Sequence, residues 1–149
     1  MNQEDAALAE SPVGLWASVA ERAVIEYADG LLAAKDSNRT HAGVLNKLSE
    51  NEGGLTRDEL RVELTGYIDP GTVDPAADDL VRRGWAEEAD GGRLRITTDG
   101  TKARTELLDI LIGSREHIHR GISDEEYVAM IKVLRRFIIN CGGEHLLPQ

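Results

Sequence analysis

The chain has 149 residues, of which 41% are hydrophobic and 30% charged, values typical of a globular domain with a real core. Its formal net charge of −10 weighs against nucleic-acid binding, because such proteins usually carry a basic surface. No apolar run reaches the roughly 18 residues of a membrane span, and one cysteine excludes an intrachain disulfide, so we expect a cytoplasmic protein.

The N-terminal residues predict a flexible tail followed by a long helix. Residues 1–10 are acidic and lack the basic and apolar regions of a signal peptide. Ser11-Pro12 predicts a helix start, with Ser11 as N-cap and Pro12 as the first helical residue. Apolar residues then recur every three or four positions to about residue 34, which indicates a helix with one buried face.

Two shorter helices are predicted next. Residues 35–40 are expected to form a loop before a helix over about 41–49, and residues 51–54 a turn. The segment Thr56-Arg-Asp-Glu59 matches a capping box, in which the Thr and Glu side chains bond to each other's backbone. It predicts a helix that ends near Leu64.

The following helix allows two interpretations of its start. If it begins at Asp69-Pro70, Pro75 lies inside it and removes the hydrogen bond to the Gly71 carbonyl, which costs about 3 kcal/mol or kinks the helix. If Asp74 is the N-cap, Pro75 is the first helical residue and the helix begins about one turn later. In both cases Gly84 is a plausible C′ residue at its end.

A short hairpin follows this helix. Residues 85–89 and 94–97 predict two strands, which Asp90-Gly91-Gly92 joins in a tight turn. The order helix, turn, helix, hairpin over residues 55–100 is that of a winged helix-turn-helix, a module that usually places one helix in the major groove of DNA. Residues 56–100 nevertheless carry 11 Asp and Glu against six Arg and no Lys, so acidity extends into this module.

The C-terminal part predicts two more helices. One runs from about residue 98 to 117, and the capping box Ser123-Asp-Glu-Glu126 starts the last. Both carry apolar stripes, as the first helix does. We therefore predict a winged lobe at 38–97 between dimerisation helices at 11–34 and 98–145, and a homodimer, because winged modules usually bind paired half-sites. A monomer with these helices in one bundle is the alternative.

Four short motifs resemble the MarR family of bacterial transcriptional regulators. Each is weak alone, but together they match the family in order and spacing across roughly residues 12–142. The motifs are Leu55-Thr56-x-x-Glu59-Leu60, Ile68-Asp69-Pro70-Gly71-Thr72-Val73, Leu80-x-x-Arg83-Gly84-Trp85 and Ile96-Thr97-x-x-Gly100. The resemblance implies a mainly α-helical homodimer with two small β-wings. It also implies binding to a double-stranded DNA operator, usually as a repressor that a small aromatic ligand relieves.

The resemblance also assigns DNA contacts to six residues. Those at the start of the recognition helix would approach base edges, an arginine of the wing would enter the minor groove, and two further arginines would contact phosphates. The residues at base edges would be Gly71, Thr72 and Val73. The minor-groove arginine would be Arg93, and the phosphate contacts would be Arg57 and Arg95. For each arginine, an ordinary solvated surface charge is the alternative.

The recognition helix departs from the family pattern. Where relatives usually offer Ser, Thr or Arg, this chain has Asp74 and Pro75, with Asp78 and Asp79 one turn later. The carboxylates would face phosphates and could only accept hydrogen bonds, chiefly from cytosine amino groups. The alternative function is therefore a protein-interaction or ligand-sensing module in which operator binding is weakened.

Other candidate sites are few. Trp16, Tyr27 and His41 are candidates for a ligand pocket. The alternative for Trp16 and Tyr27 is a role as core anchors, and for His41 a position at the surface or an interface. Cys141 is predicted to be buried on the apolar stripe of the last helix, where it would pack as a small hydrophobic group. No spaced ligand set, cofactor motif or catalytic triad is present, so we expect no metal, no cofactor and no enzymatic activity.

Overall fold

The computed structural model describes all 149 residues and is mainly helical, with a two-stranded wing, which confirms the predicted fold class. The helices are α1 (Gln3–Glu10), α2 (Val13–Ala33), α3 (Arg39–Ser49), α4 (Arg57–Glu63), α5 (Val73–Arg82), α6 (Thr98–Ile118) and α7 (Asp124–Asn140). The strands are β1 (Ala86–Ala89) and β2 (Arg93–Ile96), and short 3₁₀ turns lie at Pro70–Thr72, Asp90–Gly92 and Glu144–Leu146. The residues form two compact units, Met1–Ser114 and Arg115–Gln149.

The first ten residues contain a helix where the sequence predicts a flexible tail. The Asn2 side chain caps α1 by accepting the Asp5 N–H at 2.7 Å, and the acidic residues Glu4 and Asp5 complement its N-terminal dipole. Because α1 buries no residue, it has no apolar stripe by which periodicity could reveal it.

The start of α2 also differs from the prediction by one residue. Pro12 is the N-cap and forms no side-chain cap bond, while the Ser11 hydroxyl accepts a hydrogen bond from Trp16 Nε1 at 2.6 Å. Within this chain α2 buries only Ala28 and Leu32. Most of its predicted apolar face is therefore exposed, including Trp16.

The core of the first unit lies between α3, α4, α5 and the wing. Leucines dominate it, and each fully buried leucine contributes roughly 1.5–3 kcal/mol through removal of its apolar surface from water. The largest fully buried side chains are Leu32, Leu45, Leu48, Leu60, Leu80, Leu94, Leu107, Val44 and Val73. This core fixes the positions from which α4, α5 and the wing present their outer surfaces.

Helix α3 begins two residues before its predicted start because His41 takes part in the cap. The Asn38 side chain accepts the His41 N–H at 3.0 Å, and His41 Nδ1 accepts the Asn38 N–H at 3.0 Å. This reciprocal pair is a capping box with histidine in the place of the usual Glu or Gln. That substitution explains why the sequence pattern did not reveal it.

In the structure, α5 begins at neither of the two positions that the sequence allows. Asp69 caps a 3₁₀ turn over Pro70–Thr72 by accepting the Gly71 N–H at 3.0 Å, and α5 then begins at Val73. Pro75 is the third residue of α5, where backbone N–H groups have no partner within the helix. The proline therefore costs no helical hydrogen bond.

The end of α5 confirms the predicted C′ glycine. Gly84 has φ of +75°, a left-handed conformation that glycine adopts without a steric penalty. The Gly84 N–H bonds to the Val81 carbonyl at 3.0 Å and the Trp85 N–H to the Leu80 carbonyl at 2.9 Å. This Schellman pair turns the chain directly into the wing.

The wing is an antiparallel hairpin attached to the turn before α4. Ala86 pairs with Ile96 and Ala89 with Arg93, while Leu55 and Leu94 exchange backbone hydrogen bonds of 3.0 and 2.8 Å. At the start of α6, a Cβ on Gly100 would lie 1.9 Å from the Trp85 carbonyl oxygen. Glycine is therefore required where α6 meets the base of the wing.

The second unit contains α7, whose predicted capping box is confirmed. The Ser123 hydroxyl accepts the Glu126 N–H at 3.1 Å, and the Glu126 carboxylate accepts the Ser123 N–H at 2.9 Å. Helix α7 buries no residue in this chain, and Cys141 at its C-cap is exposed rather than buried as predicted. None of the helices combines the length and apolar character that a membrane crossing needs.

Candidate nucleic-acid interface

An exposed surface, the recognition face, lies where the first turn of α4, the first turns of α5 and the tip of the wing meet. The elements enclose an open groove of about 740 Å³. The groove is lined by Thr56, Arg57, Asp58, Arg61, Asp74, Asp78, Glu88, Gly91 and Gly92. Four carboxylates therefore surround two arginines on the surface where the sequence predicts DNA contacts.

Arg57 lies at the centre of the recognition face and is held by three acidic residues. Its Nη2 lies 2.7 Å from Asp78 Oδ1 and 3.6 Å from Glu88 Oε1, and its Nη1 donates to the Asp74 carbonyl at 3.2 Å. Nη1 also lies 3.4 Å from the Asp74 carboxylate. The guanidinium thus joins α4 to α5 and the wing.

Arg61 continues this network one turn along α4. It bonds Asp58 on its own helix at 2.6 Å and also pairs with the Asp74 carboxylate. The Asp74 carboxylate of α5 is therefore an ion-pair partner of both arginines. Arg61 is not among the residues predicted from the sequence, although its spacing of four residues from Arg57 places both side chains on one helix face.

The local environment favours the charged form of Arg57. Partial burial acts against the charge, but the hydrogen bonds and charges of Asp78 and Asp74 outweigh it and raise the pKa of the guanidinium. Arg57 is therefore a permanently charged group that already forms ion pairs with carboxylates of the same chain.

The 3₁₀ turn before α5 presents two of the three residues predicted to approach base edges. Gly71 and Thr72 are exposed, and the Thr72 hydroxyl donates to the Asp69 carbonyl at 2.6 Å and lies 2.9 Å from the Thr40 hydroxyl. Val73 is fully buried in the core, because it begins the apolar face of α5. This corrects the prediction for Val73, whose side chain cannot reach a ligand.

The two wing arginines have different surroundings. Arg93 Nη1 donates to the Gly54 carbonyl at 3.1 Å and lies 3.3 Å from Glu59 Oε2, so it ties the wing to α4. Arg95 is exposed, forms no ion pair, and lies opposite Glu87 in the hairpin register. Of the arginines predicted to contact DNA, only Arg95 is free of an internal carboxylate partner.

Comparisons with known proteins identify the fold. No protein-family model matches the chain, and no curated protein matches its sequence. Solved structures do match it. The reduced form of MarR from E. coli has a TM-score of 0.70 at 18% identity, over 86% of this chain and 94% of that one. A MarR family transcriptional regulator from Silicibacter pomeroyi has a TM-score of 0.70 at 17% identity, over 95% and 99%.

A third similar structure is the Mycobacterium tuberculosis MarR family protein Rv2887 in complex with DNA. Its TM-score is 0.69 at 13% identity, over 86% of this chain and 98% of that one. This chain has the MarR fold. The order α4, α5, β1, β2 is that of the winged helix-turn-helix predicted from the sequence, and the recognition face lies on these elements.

Helix α5 of this MarR lobe is fixed to α3 by a partly buried polar network. His41 Nε2 lies 2.9 Å from Asp79 Oδ2, and Arg83 Nη2 lies 2.8 Å from the same oxygen. Arg83 also bonds the Ser37 hydroxyl at 3.3 Å and lies over the Trp85 ring at 4.9 Å. The network holds α5 against α3.

His41 is neutral in this network. Burial, and secondarily the charge of Arg83, lower its pKa from the usual 6.5 to about 4. The nearby Asp79 carboxylate would by itself raise the pKa, but Nδ1 accepts the Asn38 N–H and so carries no proton. The contact with Asp79 is therefore a hydrogen bond from neutral histidine rather than an ion pair.

Two of the three residues predicted to form a ligand pocket are engaged in other contacts. Trp16 is more than half exposed and bonds Ser11, and His41 is committed to the Asn38 and Asp79 contacts. Tyr27, the third, is partly buried. A different cavity of about 350 Å³ lies between α3, α6 and the end of α4. Its lining includes Arg39, Ala42, Gly43, Asn46, Lys47, Leu64, Tyr67, Ile68, Leu108 and Leu111.

Proposed function

We propose that the chain is a DNA-binding transcriptional regulator of the MarR family that acts as a homodimeric repressor in the bacterial cytoplasm. The observation that carries the proposal is a MarR lobe in which Gly71 and Thr72 at the start of the recognition helix are exposed beside a wing with a free Arg95. The similar structure of Rv2887, which is a complex with DNA, supports this use of the fold. Thr72 would meet base edges and Arg95 the phosphates.

The homodimer is supported by the apolar surface that the end helices leave uncovered. Leu15, Trp16 and Val24 on α2 are exposed, as are Met130 and Phe137 on α7. Large apolar side chains grouped along an exposed helix face favour an interaction site. Two copies joined through these helices would place two lobes for paired half-sites.

The decisive experiment is selection of bound fragments from a random pool of duplex DNA by the purified full chain. We expect enrichment of a pseudo-palindrome whose half-sites are separated by about one helical turn, roughly 10 base pairs. Affinity for that site should fall as salt rises, because phosphate contacts release counterions. No enrichment, or an affinity indifferent to salt, would contradict the proposal.

A ligand response is proposed at the cavity between α3 and α6. Its apolar floor of Leu64, Leu108 and Leu111 lies beside the guanidinium of Arg39, which forms no ion pair. This combination suits a small aromatic carboxylate, whose ring would contact the leucines and whose charge would pair with the guanidinium. Benzoate should raise the melting temperature of the full chain and lower its affinity for the selected operator. An Arg39→Gln variant should lose both effects.

A protein-interaction module is the second candidate function, and the acidity of the recognition face favours it. Asp58, Asp74, Asp78 and Glu88 outnumber the two arginines in the groove. A surface of this sign suits a basic protein partner better than a polyanion. The same random-pool selection separates the two functions, because a module of this kind would enrich no duplex.

A further inference from the structure

The arginines of the recognition face are already paired with carboxylates of the same face. Arg57 is held by Asp74, Asp78 and Glu88, and Arg61 by Asp58 and Asp74. We propose that Asp74 and Asp78 are specificity-determining residues, which act as internal counterions and suppress sequence-independent binding of this face to DNA phosphates. The proposal rests on the DNA-binding function proposed above and identifies what sets its selectivity.

The two carboxylates are rigidly placed for this role. Val73, Ala76, Ala77 and Leu80 are buried and fix α5 against the core. Asp74 and Asp78 are one helical turn apart and exposed on the opposite side of the helix, so both face the first turn of α4. Their contacts with Arg57 therefore follow from the packing of α5 rather than from the adjustment of a flexible loop.

An arginine that already has an internal counterion gains little from a phosphate. To contact DNA, Arg57 would exchange one anionic partner for another, while Asp74 and Asp78 would be left facing the negative backbone. Each phosphate contact normally adds about 0.9 to the slope of log affinity against log salt, because it releases a bound counterion. The internal carboxylates remove that contribution from Arg57 and Arg61 in each lobe.

The suppression affects one class of DNA contact more than the other. Phosphate contacts provide most sequence-independent affinity, whereas base edges provide specificity. Thr72 forms no ion pair and lies outside the arginine network. Loss of phosphate contacts at Arg57 and Arg61 therefore lowers the affinity for arbitrary DNA more than the affinity for a matched site. The ratio of matched-site affinity to arbitrary-DNA affinity increases as a result.

The test measures binding of the full chain to a labelled duplex of arbitrary sequence between 50 and 250 mM salt. The variant is Asp74→Asn, Asp78→Asn, which keeps the side-chain shapes and removes both charges. The control is Glu106→Gln, Asp109→Asn, two exposed residues of α6 that form no ion pair. It makes the same change in net charge away from the recognition face. Circular dichroism confirms that each protein is folded.

We expect the Asp74 and Asp78 variant to bind arbitrary DNA roughly tenfold more tightly at 50 mM salt, with a salt slope steeper by about 1 to 2 per lobe. Adding Arg57→Gln to that variant should reverse much of the gain. If the control gains as much, or if the variant keeps the wild-type slope, the proposal is overturned while DNA binding stands. If no protein binds any duplex at low salt, the proposed function itself fails.

Discussion

At the scale of single residues, His41 shows how one side chain connects local structure to stability. It completes the cap of α3 through Nδ1 and holds Asp79 of α5 through Nε2. Only the neutral ring can make both bonds, since a protonated Nδ1 would face the Asn38 N–H without an acceptor. Burial and Arg83 lower the pKa of His41 to about 4, well below the usual 6.5.

This residue makes the stability of the lobe depend on pH. Between pH 4 and 6.5 the unfolded chain binds a proton at His41 that the folded chain does not. The stability that neutral His41 provides is therefore complete above pH 6.5. It is lost as the pH falls toward 4, at up to about 1.4 kcal/mol per pH unit. Urea unfolding followed by circular dichroism at pH 7, 6 and 5, at one protein concentration, measures this loss.

His41→Gln is the matched control for the pH effect. Glutamine can accept the Asn38 N–H and donate to Asp79, and it is a usual residue at this position of a capping box, but it does not titrate. We expect the variant to lose less stability between pH 6.5 and 5 than the natural chain. Equal losses in the two proteins would show that other groups cause the dependence.

Two glycines of α6 provide a second residue-scale prediction. A Cβ at Gly100 would lie 1.9 Å from the Trp85 carbonyl oxygen, whereas a Cβ at Gly113 would meet nothing within 4 Å. Gly100→Ala should therefore destabilise the chain by at least about 1–3 kcal/mol through overpacking against backbone. Gly113→Ala should stabilise it by roughly 0.5–1 kcal/mol, because alanine favours helix. Denaturant unfolding of both variants checks the opposite signs.

At the scale of elements, the sequence predicts most of the helix ends and the hairpin, and less of the recognition face. The capping signal at Ser123, the C′ glycine Gly84 and the hairpin turn each act within a few residues, and the structure confirms them. The start of α5 was missed because a 3₁₀ turn precedes it. The pairing of Arg57 with Asp78 joins residues 21 positions apart, and only the packing of α4 on α5 creates it.

A further prediction concerns the DNA affinity of a variant of the recognition helix, α5. Asp74→Ser, Pro75→Arg replaces the acid and the proline at the third position of α5 with residues of the kind that the family resemblance implies there. Because Pro75 lies in the first turn, its replacement breaks no helical hydrogen bond and the helix should be preserved. We expect tighter binding to the selected operator by fluorescence anisotropy. Unchanged affinity would show that the acidic recognition helix does not limit DNA binding.

At the scale of the whole molecule, α2 and α7 keep most of their apolar side chains exposed in a single copy of the chain. Helix α7 buries no residue, and α2 buries two of its 21. Sequence periodicity correctly predicted that these helices are amphipathic, but it could not show whether the apolar faces pack within the chain. The structure leaves them exposed, and homodimerisation stays a prediction.

Light scattering coupled to size-exclusion chromatography tests that prediction. The natural chain should elute at about twice its monomer mass of 16.3 kDa. Met130→Glu, Phe137→Glu places two charges on one stripe of α7 and should shift the equilibrium toward the monomer, because burying unpaired carboxylates at an interface is unfavourable. Val62→Glu, Tyr67→Glu makes the same change at exposed positions of the lobe and should leave the dimer intact. A natural chain that elutes at the monomer mass at micromolar concentration would exclude the homodimer, and with it the paired half-sites expected in the operator.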